Sequence, residues 1–217
     1  MNDLYEAMGT IAAAAHANGD TIDQNIRPED NFGIQHGFGI IHKSNYMRIG
    51  KQPEEQRFEI TSPYSFLSVL KRNYSESELA KRASVDLSSL PPEERDRVIN
   101  SVLEDDLQKA SDQYDEFTEA YSQEVAPTNT DLIRITYGDE GLWNGFFIRD
   151  NLYPFEDSFS ISKYRRVVSK VRSIRIQTTE LAHEVVDVLD AASSEELAED
   201  PETEAPTDHQ FSPPGFQ

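Results

Sequence analysis

The sequence predicts an α+β fold, with an antiparallel sheet of about five strands flanked by helices, a long C-terminal helix and a helical insertion in the middle. Three observations carry that expectation. Apolar residues alternate with a period of two from Phe32 to Ile60 and again over 131–152. Around these stretches the apolar spacing lengthens to three and four, the signature of helices with one buried stripe. The chain then ends in an acidic, proline-bearing stretch with no Lys or Arg.

Taken in order, residues 3–17 place Leu4, Met8, Ile11, Ala12 and Ala15 on one side of a short helix, and Asn18-Gly19 stops it. FGIQHGFGIIH, NYMRI and RFEI then read as three antiparallel strands joined by the polar turns KSN and GKQPEEQ. In the second of these hairpins Met47 and Ile49 point one way, Tyr46 and Arg48 the other, and Phe58 and Ile60 share a face. Ser62 followed by Pro63 predicts a helix start at TSPYSFLSVLKRNY, because proline suits a first helical turn.

The insertion, about 75–125, restarts a helical pattern at Pro91-Pro92 and Glu93-Glu94. Val98, Val102, Leu107, Tyr114, Phe117 and Tyr121 supply its stripe, in one long helix or two in tandem. DLIRITY, the turn GDEG and LWNGFFIRDNLY form a second hairpin. From Ser160, Tyr164, Val167, Val168, Val171, Ile174, Leu181, Val185, Val188 and Leu189 recur at helical spacing, the strongest such pattern in the chain. The expected organisation is one α+β domain over 1–192 and an acidic disordered tail over 193–217, whose seven carboxylates and scarce apolar residues cannot offset the entropy of ordering.

Charge limits the partners. Forty acidic residues stand against 20 basic ones, a formal net charge of -20, and the bases divide into 7 Lys and 13 Arg. Mean hydropathy is -0.63. Such a surface repels itself at low ionic strength, whereas at ~1 M salt the Debye length is about 3 Å. Adaptation to a salt-rich cytoplasm is the expected reading, with an ordinary acidic protein as its alternative. Nucleic acid and anionic membranes are disfavoured, since phosphate neutralisation needs a basic footprint. No cysteine is present, so no disulfide or thiolate site is expected. Asp3 and Glu6 stand where a secretory leader would be basic, and no apolar run nears the ~20 residues of a membrane span. A cytoplasmic location is expected.

The passages FGIIHKSNYMRI with RFEI, and FFIRDNLYPFEDSFSISKYRRVVSKVRSIRI, give the element order a resemblance. In that order the chain resembles the class I type III secretion chaperone-like fold, including the YbjN-like group. The resemblance implies a small α+β domain, commonly dimeric, that binds extended segments of a partner protein and carries no enzymatic activity. The insertion and the tail depart from it.

Catalytic chemistry has little support in the motifs. His36 and His42 lie on one strand face about 20 Å apart, too far to share a metal. His42 with Glu59 on a nearby strand is the one candidate acid/base or ligand-binding pair, set against a plain cross-strand polar contact. His183-Glu184 lacks a second zinc-ligand histidine and reads as a solvated helix face, as does Asp105-Asp106. The glycines of GIQHGFG lead into a strand instead of a helix, so close packing or a strand bend explains them better than a phosphate loop.

Two features point to recognition. Lys163, Arg165, Arg166, Lys170, Arg172 and Arg175 form a basic run that docks an acidic partner or pairs with the chain's own acids. Trp143, Phe146, Phe147, Tyr153, Phe155 and Phe159 cannot all enter one core if they alternate, leaving a groove or dimer seam unless the helices over 162–189 and 94–122 cover opposite faces. The expected function is therefore a non-enzymatic protein-interaction module, chaperone-like, holding a partner segment at a sheet edge or aromatic groove. Its candidate partner-binding residues are Trp143, Phe146, Phe147, Tyr153, Phe155, Arg165 and Arg172. A homodimer is possible within this reading, and no cofactor, metal, nucleic acid or membrane is expected. The alternative is a small-ligand or metal-binding enzyme centred on His42 and Glu59 of the first sheet.

Overall fold

The computed structural model describes residues 2–23, 36–51, 57–125, 130–156 and 158–189. Its strands are β1 (Thr21–Asp23), β2 (His36–His42), β3 (Asn45–Lys51), β4 (Phe58–Ser65), β5 (Asp131–Tyr137) and β6 (Leu142–Leu152). They make one antiparallel sheet in the order β1-β2-β3-β4-β6-β5. The helices are α1 (Asn2–Ala17), α2 (Phe66–Asn73), α3 (Glu76–Ala83), α4 (Pro92–Asp112), α5 (Tyr114–Glu124) and α6 (Ile161–Val185), with a 3-10 turn at Leu87–Ser89. The expected α+β architecture is present. Its extra strand, β1, pairs Thr21 with Ile41 and Asp23 with Gly39, but three residues are too short to show a period. The expected tail falls outside the described residues.

Register assigns the faces. Phe38 pairs with Ile49 and Ile49 with Ile60, and Tyr64 stands opposite Phe146, so these residues share the helix-covered face and are buried. Tyr164, Val168, Val171, Ile174 and Leu181 line the buried side of α6. Each such side chain contributes roughly 1.5–3 kcal/mol when fully removed from water.

Three expectations change, and one open alternative is decided. First, Ser62 and Pro63 do not begin a helix. β4 runs on, with Ser62 opposite Ile148, Pro63 opposite Phe147 and Tyr64 opposite Phe146, and Ser65 caps α2 instead by accepting from the Ser68 amide at 3.3 Å. Second, of the two forms left open for the insertion's main pattern, the tandem pair is present, because Gln113 at φ -96, ψ 4 breaks the run between α4 and α5. Third, α5 and α6 cover the same face and not opposite ones. Tyr64 meets His183 and Arg175 of α6 while its neighbour Phe146 stacks on Phe117 of α5 at 5.9 Å. Fourth, Asp106 is not a solubilising charge. It is buried, takes Arg82 Nη1 at 2.6 Å and accepts from the Tyr74 hydroxyl at 3.1 Å. Burial alone would raise its pKa, but those partners with Lys109 hold it below the ordinary carboxylate value.

Candidate functional site

The most chemically distinctive cavity forms where β4 leaves the sheet. Asn144, buried at the start of β6, accepts from the Leu67 amide at 2.8 Å and faces Ser65 Oγ at 3.3 Å, locking the first turn of α2 to the sheet. Gly145 makes the junction possible: its φ is +112, and a Cβ there would stand 2.1 Å from the Tyr64 carbonyl oxygen. The indole of Trp143 donates to the Gly145 carbonyl at 2.6 Å, fixing the same turn from the core side.

Beside this junction lies a cavity of about 490 Å³. Its basic lining is Arg48 from β3, Arg72 from α2 and Arg175 from α6, joined by Tyr64, Ser65, Ser68 and Asn144, while Pro63, Val69 and Ile135 provide an apolar wall. No carboxylate lines it among the described residues. That is notable in a chain with twice as many acids as bases.

Arg175 defines the electrostatics. Its guanidinium carbon sits 5.0 Å from the centre of the Tyr64 ring, a cation-π contact. Burial pulls its pKa below the usual arginine value, partly opposed by Tyr64. Neither Arg175 nor Arg72 has an ion pair among the described residues, and Arg48 is only 3% exposed. A half-buried cation without a carboxylate is electrostatically poised for an external anion. Tyr64 itself is pushed up to about 12 by burial, against the lowering influence of Arg175 and Arg72, so its hydroxyl keeps its proton at neutral pH. That hydroxyl lies 2.5 Å from His183 Nε2, so His183 belongs to this junction and not to a solvated helix face.

The residues expected to carry function are distributed differently. His42 and Glu59 do not form a pair. His42 stands opposite Asn45 at the tip of the β2–β3 hairpin, whereas Glu59 stands opposite Gly50 near its open end, and strand alternation puts them on opposite faces. His42 Nδ1 is 2.7 Å from Asp20, whose other carboxylate oxygen accepts from the buried Tyr164 hydroxyl at 2.8 Å. This network ties α1, β2 and α6 together. Glu59, 2% exposed, takes Arg149 at 3.4 Å and Arg57 at 3.8 Å. Among the described residues no group of three or more His, Asp or Glu converges as a metal cage.

Trp143 and Phe146 lie in the core, in contact with Phe117, so a partner meets neither without opening it. Phe147 is half-buried on the other face, opposite Pro63. Tyr153 and Phe155 are 45% and 43% exposed after β6. The basic run spreads around α6: Arg165 donates to Asn18 at 2.7 Å, Lys170 pairs with Asp150 at 3.0 Å, Arg172 is half-buried, and Arg175 alone of the six lines the arginine cavity.

No protein-family model matches the chain, and no curated protein matches it. Among solved structures, the crystal structure of an uncharacterized protein from Methanothermobacter thermautotrophicus is similar in outline, at 10% identity and a TM-score of 0.47, over 83% of this chain and 99% of that one. So loose a likeness bears no weight, and function rests on the site itself. No described helix is long and apolar enough to cross a membrane.

Proposed function

We propose that the protein is a non-enzymatic binding module that captures an anionic group in the cavity formed by Arg48, Arg72 and Arg175. One observation carries this reading: the half-buried guanidinium of Arg175 faces that cavity without a carboxylate partner among the described residues. An arginine so placed has lost part of its hydration, and an incoming oxyanion restores the interaction through charge-assisted hydrogen bonds.

A protein-partner form of this reading has its own support. β5 is an edge strand and contributes Ile135 to the cavity wall. A partner segment added along β5 would run beside the arginines and present an acidic side chain to them.

Thermal unfolding at constant ionic strength tests the module. Phosphate replacing chloride raises the Tm of the native chain more than that of the R72Q/R175Q double variant, because only the native chain gains binding energy beyond the general effect of an excluded anion. Equal shifts in the two proteins would remove the reading.

A further inference from the structure

Resting on the cavity as an anion site, we propose that its ligand is a small phosphate monoester, with the phosphoryl group held between Arg72 and Arg175 and an uncharged organic body against Pro63, Val69 and Ile135. Charge matching is the first argument. Two arginines on the cavity lack an ion pair among the described residues, and a phosphate monoester carries about -1.5 to -2 at pH 7. A single carboxylate would neutralise only one of them. The forked guanidinium also matches phosphoryl oxygens in two-point contact.

Size is the second argument. The cavity of about 490 Å³ lies within the roughly 300–1,000 Å³ of small-molecule sites. A bare oxyanion, comparable to one or two waters of about 30 Å³ each, leaves most of it unfilled. The apolar wall then gives an organic body a surface to bury, and the Ser68 hydroxyl in the first turn of α2 can bond its oxygens, whereas Ser65 already donates to Asn144. The helix amides do not take this role: Leu67 already donates to Asn144 and Ser68 to Ser65. Recognition therefore falls to side chains.

The third argument separates a small ligand from a polymer. A chain of net charge -20 repels nucleic acid and acidic proteins over their whole length. A dianion the size of the cavity meets mainly the local arginine field.

The test uses the full chain at ~0.15 M KCl. Calorimetry measures affinity, and NMR follows the arginine Nε–Hε signals. The probes are phenyl phosphate, ribose 5-phosphate and adenosine monophosphate, compared with inorganic phosphate, benzoate, citrate and a phosphoserine peptide. The expected result is at least one monoester binding about ten-fold or more tighter than inorganic phosphate, with the Arg72 and Arg175 signals shifting. R72Q and R175Q each weaken it by a similar factor while Tm stays near the native value. Citrate or benzoate binding as tightly as every monoester at the same arginines, or the peptide binding more tightly than all of them, overturns the ligand class and leaves the anion site standing. Absence of any shift at Arg72 and Arg175 with every probe overturns both.

Discussion

Asp106 and Tyr64 are both buried, yet burial prevails at Tyr64 and the partners prevail at Asp106, so the two act on opposite pH limbs. Asp106 has its pKa lowered by Arg82 and Tyr74 despite desolvation, so the native state favours its ionised form. Its contribution is present above the ordinary carboxylate value near ~4 and is lost as pH falls through the lower folded value. Unfolding measured against pH should give D106N a shallower acid limb than the native chain. Tyr64 runs the other way. Raised to about 12 by burial, it favours the protonated form, and its contribution is complete below the free tyrosine value of about 10 and lost as pH rises through the folded one. Y64F should therefore lose one proton's worth of slope between those values, read by alkaline unfolding. Neither role was legible in the sequence. Asp105-Asp106 looks like two equivalent surface charges, and only the fold brings Tyr74 and Arg82, 32 and 24 residues earlier, against one of them.

Elements were more legible than residues, and the differences have local causes. α6 and the β2–β3 hairpin follow their periods closely: α6 buries one stripe, and the hairpin sets Phe38, Ile40, Met47 and Ile49 on one face. The helix start at Ser62-Pro63 failed because a proline without an amide is tolerated where the strand requires no bond from it. The arginine cavity has no signature in the sequence for a different reason: Arg48, Arg72 and Arg175 come from β3, α2 and α6, and no spacing rule joins them. Arg175 was visible only as one of a basic run. Two turns with positive φ test the framework. Lys43 and Ser44, at φ 47 and 65, form a two-residue turn in the left-handed region, where L-residues lose roughly 1–2 kcal/mol each. Replacing them with Asn-Gly should raise stability by about 1 kcal/mol or more in denaturant unfolding. Gly145→Ala drives a methyl into the Tyr64 carbonyl and should destabilise by about 3 kcal/mol or more, abolishing the cavity along with the β4–α2 junction.

At the scale of the whole molecule, the cavity and the surface have opposite electrostatic characters. Forty acids against 20 bases set a long-range field that disfavours folding through self-repulsion and turns away polyanions. The arginine cavity is a local exception, and its half-buried position lets it persist where surface charges are screened. Salt should therefore act on the two separately. As KCl rises from ~0.1 M to ~1 M, the Debye length falls from about 10 Å to about 3 Å, and repulsion among exposed carboxylates fades, while a partly buried pair such as Arg82 with Asp106 is screened less. The expected outcome is a Tm that climbs steeply with KCl over that range, and climbs less in a variant whose exposed Glu93, Glu94, Glu104 and Asp105 on α4 are changed to Gln or Asn. Identical salt slopes in the two proteins would assign the effect to general exclusion of salt from apolar surface instead of to charge. A steep slope in the native chain alone would place the acidic surface among the determinants of folding.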